Sequence, residues 1–192
     1  MGTMFYEKEY QIIQEKLDTE LLRIKAHRDD YAKLVGYLVV AEDHRFYHHP
    51  GYDIVGICRA IYKDVFKGKR EGASTIEQQL VRVLTADYRY SIKRKIKEIY
   101  LAAQIHHLAD KYILACAYLE FANYGTDYQG LERILKKFDA RLEPNMDDTV
   151  CAEIVARLKY PEPRRLNPAR KAQIRMRTNY IVKLYKEKYE RR

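Results

Sequence analysis

Residues 42–53 read E-D-H-R-F-Y-H-H-P-G-Y-D, and residues 72–80 read G-A-S-T-I-E-Q-Q-L. The first block sets two adjacent carboxylates, Glu42 and Asp43, directly after the apolar run 34–41, and Pro50-Gly51 then turns the chain. In the second block Thr75, Gln78, Gln79 and Arg82 fall at i, i+3, i+4 and i+7, which is one face of a helix. Ser74 or Thr75 can cap that helix, leaving its first backbone N–H groups turned outward as an anion site. A third block, Arg94-Lys95-x-x-Glu98, puts two cations on the face of a second carboxylate.

Outward from these blocks the periodicity is helical. Ile13, Leu17, Leu21 and Ile24 recur at spacings of three and four, and the same rule predicts helices over 75–84, 92–108, 111–121 and 149–158. A last helix over 174–189 would place Ile174, Ile181, Val182, Tyr185 and Tyr189 on one side. No strand alternation or internal repeat is evident, and residues 123–125 and 161–168 carry turn chemistry. We therefore expect one all-α domain over 1–192, with the helices of 149–192 part of it.

The chain of 192 residues is 47% hydrophobic and 33% charged, which fits a globular domain with a solvated exterior. Lys and Arg outnumber Asp and Glu by 36 to 27, so the partner is expected to be anionic: a diphosphate, lipid headgroups or nucleic acid. No helix-turn-helix or zinc spacing supports nucleic acid. Cys58, Cys116 and Cys151 are too widely spaced for a zinc site and read as buried free thiols. His48-His49 and His106-His107 match no metal motif, so no resident metal is expected. No apolar run approaches the ~18 residues of a membrane span, so the chain reads as soluble or peripheral, or as separated from an anchor.

The blocks resemble, in order and spacing, signatures of the peptidoglycan glycosyltransferases, the family 51 transglycosylases of penicillin-binding proteins. Those signatures are E-D-x-x-F-x-x-H-x-G-x-D, G-x-S-T-I-x-Q-Q-L and R-K-x-x-E. The resemblance spans roughly 40–182 and is closest up to Glu98. It implies a lysozyme-like helical lobe with a small membrane-associated jaw at about 50–72. There Ile54, Ile57, Cys58, Ile61, Val65 and Phe66 recur at helical spacing beside Lys63, Lys67, Lys69 and Arg70. An apolar stripe bordered by cations suits a membrane interface.

It also implies an activity: polymerising lipid II into glycan strands, with inversion and release of undecaprenyl diphosphate. Such chemistry needs a carboxylate to take the acceptor proton and cations at the leaving group. Glu42 would be the base and Glu98 the second acid of the cleft, orienting the basic residues. Asp43, Phe46, His49, Ser74, Thr75, Gln78, Gln79, Arg82, Arg94 and Lys95 would bind substrate. No cofactor is obligatory, though Mg2+ or Mn2+ could bridge the diphosphate near Glu98 or Asp43. The expected partners are lipid II, the nascent strand, the membrane surface and other cell-wall enzymes, at the extracytoplasmic face.

The sequence departs from the family pattern at several positions. Arg82 stands for the usual Lys, Val83 for Asn, Cys116 for Glu and Glu120 for Asn, and Glu153 and Arg157 occupy positions where small residues are common. Those departures motivate a rival reading, a weakened or inactive relative that binds lipid II or glycan as a scaffold. A lysozyme-type hydrolase is a further alternative, since two carboxylates in a helical lobe could also cleave glycans.

Overall fold

The structure is a computed structural model that describes residues 6–68 and 72–189, the side chain of Ile61 excepted. In chain order the helices are α1 (Glu7–Ala26), α2 (Ala32–Glu42), α3 (Ile54–Lys67), α4 (Ile76–Thr85), α5 (Ile92–Gln104), α6 (Lys111–Phe121), α7 (Leu131–Lys137), α8 (Asp148–Lys159) and α9 (Pro168–Tyr189). Short 3-10 turns occupy Arg28–Tyr31, Phe46–His48 and Ile105–His107. A hairpin, β1 (Asn123–Gly125) and β2 (Tyr128–Gln129), joins α6 to α7.

Helix α6 is the axis of the lobe. Every residue from Ile113 to Leu119 is buried, the pattern of a helix surrounded by others. It packs against α1, α2 and α4, while α8 and α9 close the other side of α2. The apolar stripe Ile13, Leu17, Leu21 and Ile24 of α1 is fully turned into this core. One apolar cluster draws on α1, α2 and α4 to α9, so the 149–192 helices share the core of the first half. Among the described residues α3 contributes nothing to it.

Three sequence expectations are corrected. Residues 123–125 form a strand, not a simple turn, because Gly125 lies where the backbone of Glu162 crosses; an added Cβ there would sit 2.4 Å from the Glu162 carbonyl oxygen. Cys58 is exposed on α3, whereas Cys116 and Cys151 are buried. Helix α9 begins at Pro168, earlier than its apolar spacing suggests, because Asn167 Oδ1 accepts from the Arg170 amide at 2.8 Å and Pro168 suits the first helical position. Its buried face is Ile174, Thr178 and Ile181, while Tyr189 is exposed.

Of the predicted jaw stripe, Ile54, Cys58, Val65 and Phe66 are exposed and Ile57 is half-buried. On α3, Ile54, Val55, Tyr62, Val65 and Phe66 each show more than half of their surface. Lys69, Arg70 and the side chain of Ile61, which belong to the same prediction, lie outside the described residues. No helix among the described residues is long and apolar enough to cross a membrane.

Candidate active site

Glu42 ends α2 and opens onto a cleft of about 510 Å³. Its walls come from the 42–45 loop, α3, the start of α4, the end of α8 and one face of α9. Both oxygens of its carboxylate are held. Oε1 accepts from Arg177 Nη2 at 3.0 Å, and Oε2 accepts from Gln79 Nε2 at 3.3 Å. Gln79 is fixed in turn by the Tyr118 hydroxyl, which donates to its Oε1 at 2.7 Å. Tyr118 is buried, and burial pushes its hydroxyl well above the usual range, so it remains a donor.

The adjacent Asp43 points the other way. Its Oδ2 accepts from the Ile76 amide at 3.2 Å and lies 3.0 Å from His49 Nε2. Thr75 is the cap of α4: its Oγ1 accepts from the Gln78 amide at 3.2 Å and donates to the Gly51 carbonyl at 2.7 Å. The expected anion site at the start of α4 is thus engaged by an anion of the chain itself, Asp43, which stabilises that helix end. Gly51 makes this closeness possible. It has φ +85°, and a Cβ there would lie 2.4 Å from the Ala102 carbonyl oxygen.

One turn along α4 from Gln79, Arg82 turns to the second carboxylate. Its Nε and Nη2 donate to Glu98 Oε1 and Oε2 at 2.8 and 3.1 Å, a bidentate pair. Arg94 also donates to Glu98 Oε1, and Lys95 Nζ lies 3.8 Å from Oε2. Lys95 Nζ further donates to Ser74 Oγ at 2.9 Å and to Gln78 Oε1. Three cations around one almost fully buried carboxylate leave a net positive cluster. Burial pulls the Lys95 ammonium down to about 8; Arg82 and Arg94 add to this, and Glu98 opposes it.

The twelve predicted site residues therefore divide. Glu42, Asp43, Ser74, Thr75, Gln79 and Arg82 line the cleft. Glu98, Arg94, Lys95 and Gln78 stand behind them as a supporting layer. Phe46 and His49 are buried and fix Asp43 and the start of α4 instead of facing the cleft. Residues outside those twelve complete the wall: Arg45, Arg59, Lys159 and Arg177 add cations, and Tyr180 and Leu184 add apolar surface. Nothing in local spacing marks Arg177, because its partner lies 135 positions away.

Of the two carboxylates expected near a divalent cation, Glu98 has Arg82 and Arg94 on its oxygens, and Asp43 lines the cleft with its Oδ2 held by His49 and the Ile76 amide. Asp43, His49 and Glu77 do bring ligand atoms within 4.8 Å of one another in a buried group. There, however, the Lys111 ammonium already donates to Glu77 and to the His49 carbonyl, and so supplies the positive charge.

The departures in α6 fall outside the cleft lining. Cys116 is buried in the core, its thiol pushed up to about 12 by burial. Glu120 accepts from the Tyr31 hydroxyl at 2.5 Å and pairs with Arg23 at 2.9 Å, tying α6 to α1. Glu153 and Arg157 satisfy each other, with Arg157 Nη1 2.9 Å from Glu153 Oε2 and Arg157 Nε 2.9 Å from Glu162 Oε2.

A helical lobe whose cleft sets Glu42 among the cations Arg45, Arg59, Arg82, Lys159 and Arg177 defines a class of protein with an acid–base centre suited to an anionic ligand. The particular family follows from comparison. Residues 11–186 match the Transglycosylase family, and the chain belongs to it, with the all-α, lysozyme-like fold that this implies. It is 37% identical to a monofunctional glycosyltransferase of Staphylococcus saprophyticus over 54% of this chain and 37% of that protein. Over 77% of this chain and 63% of the relative, it is 30% identical to a biosynthetic peptidoglycan transglycosylase of Thiobacillus denitrificans. Penicillin-binding protein 1A of Rickettsia felis is 30% identical over 79% of this chain, which spans only 20% of that protein.

Proposed function

We propose that the chain is a peptidoglycan glycosyltransferase that polymerises lipid II into glycan strands. The single observation that carries this reading is the Glu42 carboxylate, held at both oxygens in a cation-lined cleft beside the Arg82–Glu98–Lys95 cluster. In the reaction the acceptor's 4-hydroxyl gives its proton to Glu42, and its oxygen attacks the anomeric carbon of the donor. The bond from that carbon to the phosphate oxygen breaks on the opposite face, so configuration inverts. Undecaprenyl diphosphate leaves with the electron pair, and Arg82 and Lys95 offset its charge.

Arg94 and Glu98 hold those two cations in place, so Glu98 organises the leaving-group site and does not act as a second base. A divalent cation, Mg2+ or Mn2+, would offset charge on the leaving diphosphate, and Glu98, taken up by Arg82 and Arg94, would not hold it. The substrate's lipid tail accords with the exposed apolar face of α3, which we assign to the membrane surface on the extracytoplasmic side.

The test is polymerisation of labelled lipid II by wild type and Glu42→Gln. Gln keeps an acceptor oxygen for Arg177, so the fold should survive while polymer formation falls by about a hundredfold or more. Binding of lipid II without polymer from either protein would overturn the enzymatic reading in favour of a scaffold. Release of muropeptides from peptidoglycan would favour a hydrolase.

A further inference from the structure

We propose that Arg177 is a positioning residue for Glu42, which makes the C-terminal helix α9 part of the catalytic apparatus. The inference rests on reading Glu42 as the base. Arg177 Nη2 spans two acceptors of α2, the Ala41 carbonyl at 2.6 Å and Glu42 Oε1 at 3.0 Å. The guanidinium thus grips both the backbone that carries the carboxylate and the carboxylate itself. Both side chains are only 14% exposed, so this pair is far less screened than a surface ion pair.

The helix that delivers Arg177 is itself anchored. Two turns further along α9, Tyr185 stacks on Tyr37 of α2 with ring centroids 3.9 Å apart and planes within 6°. Gly36 leaves room for that ring, since a Cβ at this position would reach Tyr185 at 3.0 Å. Thr178 and Ile181 are buried between these contacts. Arg177 therefore approaches Glu42 from a fixed helix, opposite Gln79. With one oxygen held from α4 and the other from α9, the carboxylate has little freedom to rotate.

Arg177 is also the described ion-pair partner of Glu42. Asp43 flanks Glu42 but is directed to His49 and the Ile76 amide. Arg82 is committed to Glu98, Arg45 to Asp53 at 3.2 Å, and Arg59 lies 3.2 Å from His44. Lys159 of α8 and Tyr180 of α9 line the same cleft, and Tyr118 approaches from α6 through Gln79. Of the cations facing the cleft, Arg177 is the one in a described contact with the Glu42 carboxylate.

The experiment is the steady-state kinetics of lipid II polymerisation for wild type, Arg177→Lys, Arg177→Met and Glu42→Gln, with lipid II affinity measured in parallel. For Arg177→Met the expected result is a kcat lowered at least about tenfold with little change in KM or in lipid II affinity. Arg177→Lys keeps the charge but not the two-acceptor grip, so its kcat should be intermediate, a partial rescue. A raised KM and weakened lipid II affinity with an unchanged kcat would make Arg177 a substrate-binding residue and overturn the proposal. So would wild-type behaviour of both variants. If Arg177→Met fails to fold, the lysine variant decides by its split between kcat and KM. Full activity in Glu42→Gln would instead sink the assignment of the base, whatever Arg177 does.

Discussion

Lys95 shows how a single side chain sets a pH range. Its ammonium is pulled down to about 8 by burial and by Arg82 and Arg94, so it is charged below that pH and loses its proton above it. An anionic substrate prefers the charged form, and binding should therefore weaken as pH rises through about 8. Once the diphosphate is bound it holds the proton on Lys95, so the effect belongs to the free enzyme and to kcat/KM. We expect lipid II affinity to fall several-fold between pH 7 and 9 in wild type, and to stay level in Lys95→Arg, whose guanidinium remains charged throughout. Titration of binding across that range checks it; an equal fall in both proteins would place the titrating group elsewhere. The pairings at this scale were legible where chemistry repeats locally. Arg94, Lys95 and Glu98 sit within one turn, and their grouping follows from helical spacing alone. The contacts Gln79–Tyr118 and Glu42–Arg177 join residues far apart in the chain, and no local pattern encodes them.

At the scale of elements, α1, α4, α5, α6, α8 and α9 were readable from apolar spacings of three and four, whereas α2 read only as an apolar run and α7 and the hairpin were not read. β1 and β2 are too short to show alternation, and β1 is also held on its other side by Glu162, whose amide donates to the Tyr124 carbonyl at 2.9 Å and whose carbonyl accepts from the Thr126 amide at 2.9 Å. The same residue anchors α8. Its carboxylate accepts from Arg157 and Lys137, and Arg157 also donates to the Glu153 carbonyl at 2.8 Å. Charges that look out of place in an apolar helix thus form a closed network between α7, α8 and the segment after it. Arg157 is almost fully buried, so removing it leaves the buried Glu162 carboxylate with Lys137 on one oxygen and without its partner on the other. Arg157→Ala should cost about 3 kcal/mol, read as a lower urea midpoint. Arg157→Lys should recover only part of this, because an ammonium cannot reproduce the guanidinium's fork of donors. A loss below about 1 kcal/mol in the alanine variant would mean that water replaces the network.

For the whole molecule, one large core and one detached apolar helix face imply a division of labour. The lobe holds the carboxylates and cations rigidly, and among the described residues α3 contributes none to that core. Instead it shows apolar side chains next to the cleft, where Gly56 and Arg59 also line the wall. In the proposed reading α3 lies in the headgroup boundary and brings the cleft to a lipid-linked substrate. The periodicity of α3 was legible in the sequence, but its direction was not: the same stripe would serve a helix packed on the core, and only the filled interior leaves it outside. Val65 and Phe66 are 68% and 73% exposed, and transferring both into a membrane boundary would contribute ~2–4 kcal/mol. Val65→Asp with Phe66→Asp should therefore weaken binding to vesicles that contain anionic lipid by at least about thirtyfold. The lobe is untouched by these changes, so polymerisation of a short-chain, water-soluble lipid II should continue near the wild-type rate. Loss of activity on long-chain substrate in vesicles alone would locate the defect at the membrane. Equal vesicle binding by both proteins would show instead that this face meets a protein partner, and the membrane assignment of α3 would fall while the chemistry of the cleft stood.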